Sequence, residues 1–294
     1  MAELPELFDL TGRVAVITGG AGLLGEQFCH TLAQAGAQVV IAELNEEAAQ
    51  ELAASLIRRW PVEKNSNTVQ GQRALGVKTD VTSKTSVRQM VEVTLDRFGR
   101  LDILVNSAAL DPKFDPQHSD FRQGTSSDFR QGTSAFEDYP LEAWQQALDV
   151  NLTGMFLCCQ AAVIPMLAQG KGVIVNVCSM YGLVGPDQRI YQRQNQSPQY
   201  KPVYYSVSKA GVLGMTRYLA TYYAGKNIRV NALTPGGVYN GHDETFVQAY
   251  SARSVLGRMA EKDEMNGAIL FLASDASSYM TGANLVIDGG WTAW

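Results

Sequence analysis

Six short apolar runs rich in β-branched residues are spaced along the chain: Val14–Thr18, Val39–Ala42, Leu101–Asn106, Val173–Val177, Ile228–Leu233 and Leu285–Ile287. Most are apolar rather than alternating apolar with polar residues, as a strand with one wet face would. Strands apolar throughout belong in a sheet covered on both sides. Between the runs lie longer segments of helical period; Val87, Met90, Val91, Leu95 and Phe98 fall on one face of a helix. Strand–helix alternation of this kind predicts an α/β fold, a doubly wound parallel sheet with helices on both faces. No linker interrupts the rhythm, so all of 1–294 is expected to form a single domain despite a length that would allow two.

Two polar stretches break the pattern and are expected to be loop insertions, 111–138 and 187–201. The first holds a perfect tandem duplication, Ser119–Ser126 repeated as Ser127–Ser134. Eight residues are too few for a solenoid repeat, and a tolerated surface duplication is the favoured reading.

The first run leads straight into a glycine string. Val14–Thr18 is followed by Gly19-Gly20-Ala21-Gly22-Leu23-Leu24-Gly25, in which Gly20, Gly22 and Gly25 satisfy G-x-G-x-x-G before a helical stretch. Strand, tight turn and helix N-terminus together are what a pyrophosphate needs: close backbone approach and unpaired N–H groups. Glu43 closes the second run, 18 residues after Gly25. A carboxylate there accepts hydrogen bonds from ribose hydroxyls and repels a 2′-phosphate, and the next basic residue is as far away as Arg58. NAD is expected in preference to NADP.

Composition excludes other classes. With 24 Lys plus Arg against 29 Asp plus Glu the formal charge is −5, a poor match for nucleic acid or an anionic membrane. The N-terminus lacks a basic signal-peptide region, and no unbroken apolar run reaches the ~20 residues that span a bilayer. A cytoplasmic protein with a small-molecule substrate is expected. The four cysteines (29, 158, 159 and 178) form no C-x-x-C, and the three histidines lie far apart, so no metal site is expected.

Y-x-x-x-K occurs twice, at Tyr205/Lys209 and Tyr222/Lys226, each pair on one helical face. Tyr205 opens its helix and follows a strand that delivers the Ser179 hydroxyl. Tyr222 falls near a helix end and reads as ordinary surface. A phenol, with pKa ~10, serves as a base near neutral pH only when a cation favours its phenolate. Lys209 supplies one.

In order along nearly the whole chain, Thr18–Gly25, Asp80-Val81, Asn106-Ser107-Ala108-Ala109, Asn151, Ser179, Tyr205–Lys209, Pro235-Gly236 and Ile287–Gly290 resemble the short-chain dehydrogenases/reductases. The resemblance implies a nicotinamide-dependent oxidoreductase. Tyr205 would be the acid/base and Ser179 would bind the reacting oxygen. Lys209 would hold the nicotinamide ribose, and Asn151 would position a relay water. The cofactor would be bound by Gly19, Gly20, Gly22, Leu24, Gly25, Glu43, Asp80, Val81, Asn106, Ala108, Tyr205, Lys209, Pro235, Gly236 and Val238. It also implies a homo-oligomer, expected to be a tetramer.

Three departures stand out: the glycine spacing T-G-x-x-G-x-x-G of the family's extended branch, Ala109 where glycine is usual, and a Ser179–Tyr205 separation of 26 residues, about twice the usual gap. The inserted segment between them should overhang the reaction. Gln188, Arg189 and Tyr191, with Asn240 and His242, are therefore the candidate substrate residues, a set suited to a sugar or an activated sugar. More narrowly, Asn151–Gln160, Pro186–Tyr191, Thr234–Tyr239 and Ala273–Trp294 resemble the flagellin modification protein A group, which implies a nucleotide-linked amino sugar. A free sugar-acid dehydrogenase and a 3-oxoacyl thioester reductase are the enzymatic alternatives. A non-catalytic NAD-binding sensor or scaffold is the alternative outside enzymes.

Overall fold

The computed structural model describes residues 3–61, 72–111, 135–193 and 198–294. The duplicated segment 119–134 lies outside them. Seven strands form one parallel sheet: β1 (Val14–Thr18), β2 (Gln38–Glu43), β3 (Ala74–Lys78), β4 (Ile103–Asn106), β5 (Gly172–Val177), β6 (Ile228–Pro235) and β7 (Asn284–Ile287). Their order is β3-β2-β1-β4-β5-β6-β7. Six are the apolar runs. The seventh, β3, is an edge strand, Ala-Leu-Gly-Val-Lys, whose central Gly76 breaks the apolar signal.

Alternate residues of β1 feed two separate cores. Val14 and Val16 pack with α4 (Lys84–Phe98), α6 (Met155–Gln169) and α7 (Val203–Tyr222), through Val87, Met90, Cys158 and Val212. Ala15 and Ile17 face the opposite side, with α2 (Leu23–Gln34), α3 (Glu46–Arg59) and α9 (Asn266–Ala273), through Phe28, Leu32, Leu56 and Ile269. This is the doubly wound arrangement expected from strands apolar on both faces. A third, aromatic cluster caps the C-terminal strand ends, with Tyr181, Tyr191, Tyr204, Tyr205, Tyr250 and Trp291. Short α1 (Leu4–Phe8) and α8 (Glu244–Ser251) lie outside the two main layers.

α5 (Leu141–Leu148) runs into α6 through a π-helical stretch, Asp149–Gly154. By length and composition this continuous helix, Leu141–Gln169, could cross a membrane, with mean hydropathy 1.7 over its most apolar window. Half of that window is buried in the fold, and Cys158, Ala162 and Met166 sit in the sheet's core, the profile of a core helix. Counting only unbroken apolar runs hid its length.

The strand order reverses between β1 and β4. β1 pairs with β2 on one side and with β4 on the other, and the connections leave in opposite directions. Chains that leave a switch point this way open a crevice beyond the strands' carboxyl ends, where doubly wound sheets bind ligands. Thr18 and Asn106 are partners in register at that edge.

Candidate active site

Thr18 ends β1 and its hydroxyl accepts the backbone N–H groups of Ser107 (3.2 Å) and Ala108 (3.3 Å), tying the two loops of the crevice together. Gly19 has φ +61°, and a Cβ there would stand 2.7 Å from the Ala108 Cα. A Cβ on Gly25 would come within 2.1 Å of the Gly19 carbonyl oxygen. The glycines therefore allow the turn to fold tightly under the start of α2, leaving a side-chain-free cradle at a helix N-terminus. A pyrophosphate fits such a cradle. Glu43 stands beside it: one carboxylate oxygen accepts Ala21 N–H at 3.3 Å and the other accepts Leu44 N–H at 2.8 Å. Leu24 lies in the first turn of α2.

Other expected cofactor residues line the same edge. Asp80, beyond β3, uses its carboxylate in a turn with Thr82, while Val81 is buried beneath α6 against Gly154. Asn106 turns its amide inward, donating to Asn176 (2.9 Å) and Cys159 (3.2 Å), so its backbone alone reaches the crevice. Ala109 sits without strain, since Asn227 alone among described non-glycine residues has positive φ. Pro235 closes β6, Gly236 N–H donates to Ile287 at 2.9 Å, and Val238 bridges to Ala260.

The catalytic candidates converge. Ser179 follows β5 and opens a 3-10 turn, Met180–Gly182; its hydroxyl accepts Tyr181 N–H at 3.2 Å and lies near the Tyr205 phenol. Lys209, one turn along α7, donates to the Val177 carbonyl at 2.9 Å, and its Nζ lies 5.8 Å from the Tyr205 ring centroid. Burial pushes Tyr205 well above the ordinary phenol range, Asp111 adds to that, and the Ser179 hydroxyl opposes it. Burial also lowers Lys209. Tyr205 is therefore a phenol, ready to donate; to accept a proton it needs cations nearby. By contrast Tyr222 is 65% exposed and stacked on Tyr218, the surface pair expected.

Asn151 lies in the π-helical stretch, fully buried. Its Oδ1 accepts Leu110 N–H at 2.6 Å and its Nδ2 donates to the Leu110 carbonyl at 3.1 Å and to Ser208 Oγ at 3.3 Å. The amide clamps the loop after β4. A π-bulge projects a side chain that regular helix would turn aside, and such bulges recur at functional sites.

The substrate candidates divide. Tyr191 is buried, with its hydroxyl donating to Tyr181 Oη at 2.9 Å. Gln188 spends its amide on the backbone of Lys201. Arg189 does not enter the crevice: its side chain is 81% exposed and paired with Asp187. Asn240 and His242 are exposed, with the imidazole stacked on Phe246 at 4.9 Å. Sequence reasoning missed Lys201, a buried cation beside Tyr205. The signal was legible as K-x-x-x-Y-x-x-x-K, Lys201, Tyr205 and Lys209 at equal spacing.

A parallel sheet with a glycine cradle at its switch point and a Ser–Tyr–Lys group beside it defines a nicotinamide-type oxidoreductase fold and site. The chain belongs to the short-chain dehydrogenase/reductase family. A family model described as enoyl-(acyl carrier protein) reductase matches residues 20–292. The cis-4-hydroxycyclohexanecarboxylate dehydrogenase of Sinomonas cyclohexanicum is 36% identical over 285 residues, 96% of this chain and 97% of that protein. The crystal structure of a short-chain type dehydrogenase/reductase from Mycobacterium marinum superposes with TM-score 0.79 and 33% identity, covering 100% of both chains. A gluconate 5-dehydrogenase from Burkholderia cenocepacia, solved with NADP and tartrate, gives TM-score 0.80 at 28% identity, covering 99% of this chain and 100% of that one. The protein is thus an oxidoreductase acting on CH–OH groups with a nicotinamide cofactor.

Proposed function

We propose that the protein is an NAD-dependent dehydrogenase of a sugar-like ring, oxidising one secondary alcohol to a ketone. The observation that carries this reading is the placing of the Lys209 ammonium, held on the Val177 carbonyl at 2.9 Å, 5.8 Å from the Tyr205 ring centroid, with Ser179 just beyond the end of the same strand. When bound, the nicotinamide ring supplies the hydride acceptor. Ser179 holds the substrate oxygen, Tyr205 as phenolate takes its proton, and the Lys209 ammonium favours that phenolate. Asn151 contributes through its hold on Leu110.

Glu43 supports NAD, because a second anion on the adenosine ribose would meet its carboxylate. The wall of Tyr181, Tyr191 and Tyr205 supports a ring substrate, because aromatic faces cover C–H groups. Relatives named for a hydroxycyclohexanecarboxylate and for gluconate accord with a polar, hydroxylated substrate. With Arg189 turned to Asp187, the inserted segment offers no free arginine for a phosphate among its described residues, so an unactivated sugar fits better than a nucleotide-linked one.

The proposal includes a cytoplasmic homotetramer. Exposed apolar side chains on α6 and α7 (Ile164, Leu167, Tyr218) and at the β7 end (Tyr279, Trp294) support self-association; a monomer by light scattering at micromolar concentration would remove that part.

The test is NADH formation across free sugars, sugar acids, activated amino sugars and hydroxyacyl thioesters, with Tyr205→Phe as control. Tyr205-dependent signal on sugars supports the proposal. Signal with NADP alone, or on thioesters alone, overturns it.

A further inference from the structure

Tyr205 has lysines on both sides. The Lys201 Nζ stands over its ring, 4.1 Å from the centroid, nearer than Lys209 at 5.8 Å. Lys201 is only 9% exposed, and its ammonium is ion-paired with Asp111. The placement is built in. Lys201 N–H donates to Gln188 Oε1 at 2.8 Å, and Gln188 Nε2 donates back to the Lys201 carbonyl at 3.3 Å. Gln192 Nε2 then reaches the carbonyls of Gln188 (3.1 Å) and Gln199 (2.6 Å), closing the inserted segment on itself. The partner is fixed too: Asp111 follows Leu110, the residue that Asn151 clamps.

Among the described residues, the groups facing Tyr205 are Lys209 from α7, Ser179 and Cys178 after β5, Tyr204 beside it, Tyr191 from the inserted segment, and the Lys201–Asp111 pair. Burial raises Cys178, Tyr204 and Tyr191, which leaves them uncharged near neutral pH. Lys209 and the Lys201–Asp111 ion pair are the other ionisable groups there. A cation over an aromatic face, with water largely excluded, is strongly felt by the ring and by a charge on its oxygen.

We infer that Lys201 is a positioning residue for the reaction at Tyr205, its ammonium favouring the phenolate, and that Asp111 moderates the effect by holding the same ammonium. The inference rests on Tyr205 being the proton-transferring group. It is independent of which alcohol is oxidised.

The sign of each perturbation follows. Removing the Lys201 cation leaves Asp111 alone near the phenol and raises the pH at which Tyr205 ionises. Removing the Asp111 anion frees the Lys201 cation and lowers that pH. Three variants test this: Lys201→Met, Lys201→Arg and Asp111→Asn. Asp111 is half exposed, so its variant does not endanger folding.

The primary readout is the near-ultraviolet phenolate absorbance of the full-length protein, taken as a difference against Tyr205→Phe to isolate one tyrosine among twelve. The second is the pH profile of kcat/KM with any alcohol that is turned over. Lys201→Met is expected to move the Tyr205 titration up by roughly one pH unit, Asp111→Asn down by a similar amount, and Lys201→Arg to restore it close to wild type. Opposite shifts for the two partners are beyond a merely structural role. Shifts of the same sign, or none, overturn the inference. Opposed shifts in a protein silent on every sugar leave the inference standing and remove the substrate reading. Full turnover in Tyr205→Phe removes both.

Discussion

Asn151→Ala tests the joint between fold and site. The wild-type amide is fully buried and makes three hydrogen bonds, two of them to the two ends of one backbone unit, Leu110. Alanine removes all three and leaves the Leu110 N–H and carbonyl without that partner. Each such bond contributes about 1 kcal/mol net, and an orphaned buried group costs about 1–3 kcal/mol. The truncation also leaves a small cavity. A loss of about 2–4 kcal/mol follows, read as a lower urea midpoint with an unchanged slope. The loop after β4 carries Asp111 and the Ser107 and Ala108 amides that hold Thr18, so turnover should fall with stability. Asn151→Asp separates packing from polarity. The shape is kept, but the donor to the Leu110 carbonyl becomes an acceptor, so the clamp should fail almost as fully as with alanine. An aspartate variant as stable as wild type, or an alanine variant with an unmoved midpoint, would refute the clamp.

Tyr205→Phe should lower kcat by roughly 10²–10⁴ while leaving NAD affinity intact, measured by turnover alongside cofactor titration; unaltered turnover would exclude Tyr205 as the acid/base. Glu43→Ala should weaken NAD by roughly tenfold or more and narrow the preference over NADP, since a charge-assisted hydrogen bond is lost together with a repulsion; equal NAD binding before and after would count against a ribose contact. Asp187 is held down to about 2, first by its hydrogen bond from Arg189, with Arg253 adding to it. Its folded pKa lies below the ordinary carboxylate value, so its contribution is present above roughly pH 4 and lost as pH falls toward pH 2. Limited proteolysis of the segment around 187–193 should rise over that window in wild type and be raised already at neutral pH in Asp187→Asn.

The sheet was legible because its central strands, β1, β2, β4 and β5, are buried on both faces, so their runs are almost wholly apolar. β3 escaped because it lies at the edge, half-buried, with Gly76 in the middle. The glycine cradle and the Ser179–Tyr205–Lys209 group were legible because backbone approach and proton transfer admit few residue types at fixed spacing. Arg189 was misread for the converse reason. Spacing places a side chain near a site but not the way it points, and Asp187, two residues away, captures it. Lys201 carries the same charge with no nearer signal than its distance from Tyr205. Its burial depends on Gln188 and on Asp111, 90 residues away in sequence, and such long-range pairing leaves no local trace.

The inserted segment between Ser179 and Tyr205 shows why a long gap need not loosen the pair proposed to act on the substrate. Doubling a loop costs only about 0.6 kcal/mol of closure entropy. Even that small cost is offset here, since Gln188 and Gln192 make four side-chain hydrogen bonds to backbone within the segment. Outward it is held by Arg193 on Asp243 and by Asp187 on Arg253, ion pairs to the N-cap of α8 and to the turn beyond it. Tyr191 packs against Phe246 of the same helix at 5.5 Å. Ser179 and Tyr205 keep their places because β5 and α7 set them, while the added residues are free to build a wall and to carry Lys201 onto the ring. An insertion at this point in the fold therefore alters the surroundings of the Tyr205 hydroxyl without moving it, so that under the proposed function one frame can serve a different alcohol.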